Sequence, residues 1–149
     1  MIIVPFEAAH GAELAEGDLN IELNRPIGVQ AEHYQQVADL GWSFSAMNNG
    51  WLIGSAGLVP LWPGVAEAWL LASDRINDHA ISAGRMVRKR LFEIVDEEGL
   101  HRVQAMTRSD TPSLKRWAAW LGMKHEGKML SYNQNRDDFE RYAWVRKES

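Results

Sequence analysis

The run Val65–Ser73 (VAEAWLLAS) constrains this chain most, because it is apolar at odd and even positions alike, with Glu67 its one charge. A strand of that kind has to be covered on both faces and belongs in the middle of a sheet. The segment after it, Ile81–Glu98, carries Ala83, Val87, Leu91, Ile94 and Val95 as one apolar stripe. Arg85, Lys89 and Glu93 hold the opposite face at i, i+4 spacing, and Gly99 stops the run. That is an amphipathic helix. Val103–Arg108 (VQAMTR) then reads as a further strand. The strand–helix–strand unit over residues 65–108 predicts a crossover near the centre of a sheet.

The remaining segments complete an α/β mixed sheet of about seven strands flanked by helices. Residues 2–6 read as a first strand, ended by Pro5, and residues 7–15 as a short helix. Residues 16–31 are polar, with Gly, Asn and Pro, and read as a loop. Glu32–Leu40 sets Tyr34, Val37 and Ala38 at helical spacing, with Gly41 at the C-cap position. Trp42–Met47 alternates Trp or Phe with Ser, and Asn48-Asn49-Gly50 is a tight-hairpin signal leading into Trp51–Pro60. Trp62-Pro63-Gly64 turns the chain into Val65. Asp110-Thr111-Pro112 is a helix start, the helix runs to Trp120, and Gly122 ends it. Met129–Tyr132 and Phe139–Val145 read as closing strands joined by the polar loop 133–138. No linker, repeat or low-complexity tract interrupts residues 1–149, so a single domain is expected.

Composition excludes several chemistries. The chain has no cysteine, so disulfides, thiolate catalysis and cysteine zinc sites are out. The five histidines show no i, i+4 metal spacing, and neither a G-x-S-x-G elbow nor a P-loop occurs. A formal net charge of −4 argues against a protein devoted to wrapping nucleic acid. The local cations Arg85, Arg88, Lys89 and Arg90 lack interleaved aromatics in the sequence. Trp51–Ala72 imitates a membrane span, but Gly54, Gly57, Pro60, Pro63 and Gly64 would break such a helix repeatedly. Met1–Phe6 has no positive n-region, so it is not read as a signal peptide, and a cytoplasmic location is expected. Seven tryptophans predict a thick core rather than a binding surface.

The element order, and residues 99–126 in particular, resemble the GNAT N-acetyltransferases. There a strand and a polar turn lead into a short helix, with Leu121-Gly122-Met123 in the place of the family's Leu-Gly-Phe and Glu126-Gly127 after it. The resemblance covers about residues 42–146. It implies acetyl-CoA as co-substrate and an amine acceptor. The family pattern Gln/Arg-x-x-Gly-x-Gly/Ala, which cradles pyrophosphate at a helix N-terminus, falls on His79, Ser82 and Gly84. Gly84 matches outright, while His79 and Ser82 depart. By the same resemblance, Leu70, Leu71 and Ala72 would contact pantetheine, with the Leu71 N–H as oxyanion donor. Ala83, Arg85 and Thr111 would complete the cofactor contacts. The family's helical Tyr corresponds to Ala118, and its Asn to Thr111.

Glu67 is the candidate base. Partial burial in an apolar strand would raise its pKa toward the working range. Its place just after the Pro63-Gly64 turn is equally compatible with an exposed strand end. A narrower resemblance also exists. "WLLASDRINDHAISAGRMVRKRLFEIVDE" and "RWAAWLGMK" are similar to GNAT-like proteins of short-tailed phages. That implies an alternative role in virion structure or assembly without catalysis, with other virion proteins or a second copy as partners.

Overall fold

The computed structural model describes residues 1–16, 19–23 and 33–147. Among them the order is β1 (Ile2–Pro5), α1 (Ala8–Glu16), β2 (Leu19–Leu23), α2 (Tyr34–Leu40), β3 (Ser43–Asn48), β4 (Trp51–Trp62) and β5 (Val65–Ser73). A 3-10 turn (Asp74–Asp78) leads into α3 (Ala80–Glu97), followed by β6 (Arg102–Arg108), α4 (Pro112–Trp120), β7 (Lys124–Met129) and β8 (Phe139–Val145). The sheet runs β1-β3-β4-β5-β6-β8-β7, and β2 joins it off this path by pairing with β5. Every pairing is antiparallel except β5 with β6.

Local chemistry sets the turns. Asn49 and Gly50 both take left-handed conformations, at φ 50° and 82°, which matches the twist of the β3–β4 hairpin. Gly41 ends α2 at φ 76°. The two faces of β5 then separate two cores. Ala66, Ala68, Leu70 and Ala72 pack toward α3, with Ala83, Val87, Leu91, Ile94 and Val95. Trp69 and Leu71 face α1 and α2, with Phe6, Leu14, Tyr34 and Val37. The alanines on the α3 face let the helix lie close to the strand. No described helix is long and apolar enough to cross a membrane.

Three expectations change. Within the stretch expected to be a loop (16–31), Leu19–Leu23 forms β2. Its residues alternate Leu, Asn, Ile, Glu, Leu, a strand pattern too short to stand out between Gly17 and Pro26. Residues 17–18 and 24–32, including Glu32 of the expected second helix, lie outside the described residues. The strand expected at Met129–Tyr132 is instead Lys124–Met129, and Ser131 (φ 49°) already belongs to the turn. β7 is an edge strand with a single partner, so its solvated residues carry no apolar alternation. The tryptophans divide between core and surface, with Trp42, Trp117 and Trp144 half-buried against the core. Trp69 is fully buried, but Trp51, Trp62 and Trp120 are 58%, 61% and 47% exposed.

Candidate functional site

The site follows from where β5 and β6 part. They pair over Val65↔Arg102, Ala66↔Val103 and Glu67↔Gln104 only. β6 stays registered with β8 all the way to Arg108. Beyond residue 67 the parallel strands therefore diverge, framing a notch toward their carboxyl ends in which β2 lies along β5. Ligands of α/β sheets bind at such places. Glu67 sits at the apex of this notch, in the last registered pair. It is 3% exposed, so the exposed-strand-end alternative does not hold. It shares a face with Trp69 and Leu71, on the α1/α2 side.

At the open end of the notch the chain makes its 3-10 turn and starts α3. His79 is the N-cap residue at φ −132°, ψ 17°, and its own N–H donates to the Ile76 carbonyl. The first intrahelical bond runs from the Ala83 N–H to the His79 carbonyl at 2.8 Å. Helix geometry then leaves the amides of Ala80, Ile81 and Ser82 without intrahelical acceptors. The His79 ring lies 3.5 Å from the Asn48 amide nitrogen. Only His79 precedes the helix, so Ser82, Ala83 and Gly84 are helical rather than part of a loop. Ser82 is exposed and Ala83 buried.

Beside this helix start lies an open groove of about 690 Å³ between α3 and α4. Ile81, Gly84 and Arg85 line one wall, and Arg116, Trp117 and Trp120 the other. The Trp120 Nε1–H donates to the Gly84 carbonyl at 3.3 Å. A Cβ on Gly84 would stand 3.3 Å from that nitrogen and 3.7 Å from the Trp117 ring. Gly84 thus admits the indoles of α4 as well as any ligand. A shallower basin adjoins, lined by Arg85, Arg88, Lys89, Phe92 and Trp120. The Arg88 guanidinium lies 5.7 Å from the Trp120 ring and 5.8 Å from Phe92. Arg90 spends its charge on Glu93 and Glu97. Arg85, Arg88, Lys89 and Arg116 make no ion pair among the described residues.

Cations with unspent charge, free helix amides and exposed indoles suit a phosphorylated, aromatic ligand such as a nucleotide. Sequence reading missed Arg116, Trp117 and Trp120. Their signal is the run Arg116-Trp117 with Trp120 one turn later. The aromatics absent from the basic cluster in sequence are supplied by Phe92 and by α4 in space.

The remaining expected positions separate. Thr111 is the N-cap of α4, but its hydroxyl turns to Asp110 at 3.2 Å rather than to the helix. The Arg108 guanidinium beside Asp110 holds that carboxyl below its usual range. Ala118 is fully buried in the core under α4. The Leu71 carbonyl points toward β4, since a Cβ on Gly54 would lie 2.8 Å from it. By strand alternation the Leu71 N–H also faces β4, and the Leu70 and Ala72 amides face the opposite edge. That edge carries β2, through Ile21↔Ala72, Glu22↔Leu71 and Leu23↔Leu70. On the parted stretch of β6, the Thr107 hydroxyl is buried with no hydrogen-bond partner among the described residues. Among the described residues no group of three or more His, Asp or Glu could hold a metal ion.

No family model matches the sequence, and no curated protein is significantly similar to it. Solved structures are similar across nearly the whole chain. Ribosomal-protein-alanine N-acetyltransferase from Brucella melitensis superposes with a TM-score of 0.74 at 19% identity, covering 97% of this chain and 99% of that one. The yncA protein from Salmonella typhimurium, determined with its cofactor acetyl-CoA, gives 0.75 at 17% identity, covering 100% and 95%. The ribosomal-protein-S18-alanine N-acetyltransferase from Escherichia coli gives 0.73 at 12% identity, covering 99% and 95%. The chain therefore has the fold of the GNAT acetyltransferases.

Proposed function

We propose that this chain is an acetyl-CoA-dependent N-acyltransferase that acetylates a primary amine of a small molecule or protein. The observation that carries this is the notch itself, with a buried carboxylate at its apex and a helix N-terminus with a cationic, indole-lined groove at its mouth. The groove would take the phosphorylated nucleotide end of acetyl-CoA, through the Ala80, Ile81 and Ser82 amides, Arg85 and Arg116. The backbone of Leu70–Ala72 would take the pantetheine arm. Glu67 would accept the proton of the attacking amine. The amine nitrogen bonds to the thioester carbon, the C–S bond breaks, and the thiolate leaves and is protonated.

Titration with millimolar acetyl-CoA tests the reading. It should raise the melting temperature and shift the backbone amide signals of residues 80–85. No change in either would sink it. With binding established, Glu67→Gln should lower acetylation of an amine acceptor at least a hundredfold through kcat; unchanged turnover would remove Glu67 as base.

A second reading is a GNAT fold used without catalysis, and one observation favours it. The β5 edge that pantetheine needs is already occupied by β2. The same titration decides, since a non-catalytic protein of that kind has no reason to bind acetyl-CoA.

A further inference from the structure

We infer that β2 is a built-in occupant of the acyl-carrier slot, and that this strand and acetyl-CoA compete for one edge of β5. The inference rests on the transferase reading above and concerns how that site is regulated.

β5 has no free edge in this structure. One edge is taken by β4 along Gly54↔Ala72 to Trp62↔Val65. The other is divided: β6 holds residues 65–67 and β2 holds residues 70–73. The amides of Leu70 and Ala72 face β2. Pantetheine is an extended chain bearing amides, and such a chain binds a sheet edge as an added strand does. It would need the same N–H and C=O groups that β2 uses. The two cannot pair with them at once.

β2 is also placed to leave. It is short, it pairs among the described residues with β5 alone, and its register slips between Leu19 and Ile21. The helices on either side are anchored independently, α1 by Leu14 and α2 by Tyr34 and Val37 in the core beneath Trp69. Releasing β2 therefore need not release α1 or α2. The described residues that line the groove at the start of α3 come from the 3-10 turn, α3 and α4. The nucleotide end of the co-substrate can dock while β2 is still in place. In this closed form the apparent affinity for the whole co-substrate is reduced by the fraction of molecules whose β2 has left.

The test compares the wild-type chain with Ile21→Pro/Glu22→Pro. Backbone N–H groups alternate between edges along a strand, so one of two adjacent prolines must remove a β5-facing donor. The ligands are acetyl-CoA and adenosine 3′,5′-bisphosphate, which has no pantetheine. The variant should bind acetyl-CoA at least about tenfold more tightly than wild type, with equal affinity for the bisphosphate. In the wild-type chain, acetyl-CoA should speed hydrogen exchange at residues 19–23, and the bisphosphate should not; this arm stands even if the variant fails to fold. Equal acetyl-CoA affinity in both chains, or β2 amides that stay protected with acetyl-CoA bound, overturns the competition and leaves the transferase reading intact. If neither chain binds either ligand, both fall.

Discussion

Along β5, residues 65–67 and residues 70–73 present the same edge to different neighbours. The first stretch meets β6, a strand fixed on its other side by seven registered pairs with β8. The second meets β2, a strand with no further partner among the described residues. Both stretches are almost fully buried and share the same cores above and below. Burial alone therefore does not distinguish them. What differs is whether the edge partner is itself held in the sheet. A backbone hydrogen bond survives as long as both strands stay in place, and among the described residues β2 pairs in the sheet with β5 alone, beside lighter contacts with α4, β6 and the 3-10 turn.

The difference between the two stretches can be broken in several places. Trp69 is fully buried between the two stretches, with its ring 5.1 Å from Phe6, edge to face. Trp69→Ala should cost about 3–5 kcal/mol in a denaturant melt. A loss under about 1 kcal/mol would mean that the α1/α2 face does not brace β5 at all. In native-state hydrogen exchange, the Ala66 amide should open only with global unfolding. The Leu70 and Ala72 amides should open at least about 2 kcal/mol more easily, by local release of β2. Equal protection would erase the distinction between the stretches.

Smaller effects concern the groove at the mouth of the notch. Gly84→Val places a branched side chain where a Cβ already stands 3.3 Å from the Trp120 nitrogen. It should destabilise the fold by about 1–3 kcal/mol and close the groove to adenosine 3′,5′-bisphosphate. Arg116→Ala should weaken that ligand about tenfold, or ~1.4 kcal/mol, with no change in melting temperature. Unchanged affinity on isothermal titration would remove Arg116 from the site.

The smallest effect serves as a control far from β5. The Ser109 hydroxyl, then His125, hold the Glu140 carboxyl on β8 below its usual range. A depressed folded-state pKa contributes stability above the ordinary carboxylate range, and that contribution is lost as pH falls through the folded value. Ser109→Ala should therefore destabilise by less than about 1 kcal/mol near neutral pH. The gap to wild type should shrink in acid and leave β2 exchange untouched. A gap that widened in acid would reverse the assigned direction.

Much of the frame was legible in the residues. The doubly apolar strand, the amphipathic α3 and the following strand announced a crossover, because side-chain periodicity is local and survives in the sequence. Asn49-Gly50 announced its hairpin for the same reason. The candidate site was legible only in part. Gly84 was found through the family resemblance, but its contact with Trp117 and Trp120 depends on how α4 crosses α3. Glu67 was found as the one charge in its strand. Whether it was buried could not be read from its neighbours in sequence, since it depends on β4 and β6 beside it and on the packing over its face. The basic residues of α3 looked bare of aromatics because Trp120 reaches them from another helix.

The sequence by itself determined that a parallel pair would form within residues 65–108 and that a helix would start just past the first of its two strands. Hydrophobic period and breaker residues encode those choices one segment at a time. Only the tertiary structure decided which strand lies along the second stretch of β5. Every non-proline residue carries the same N–H and C=O, so a free edge accepts any extended chain brought beside it. That contest between β2 and an incoming ligand is settled by proximity and tethering, neither of which a list of side chains contains.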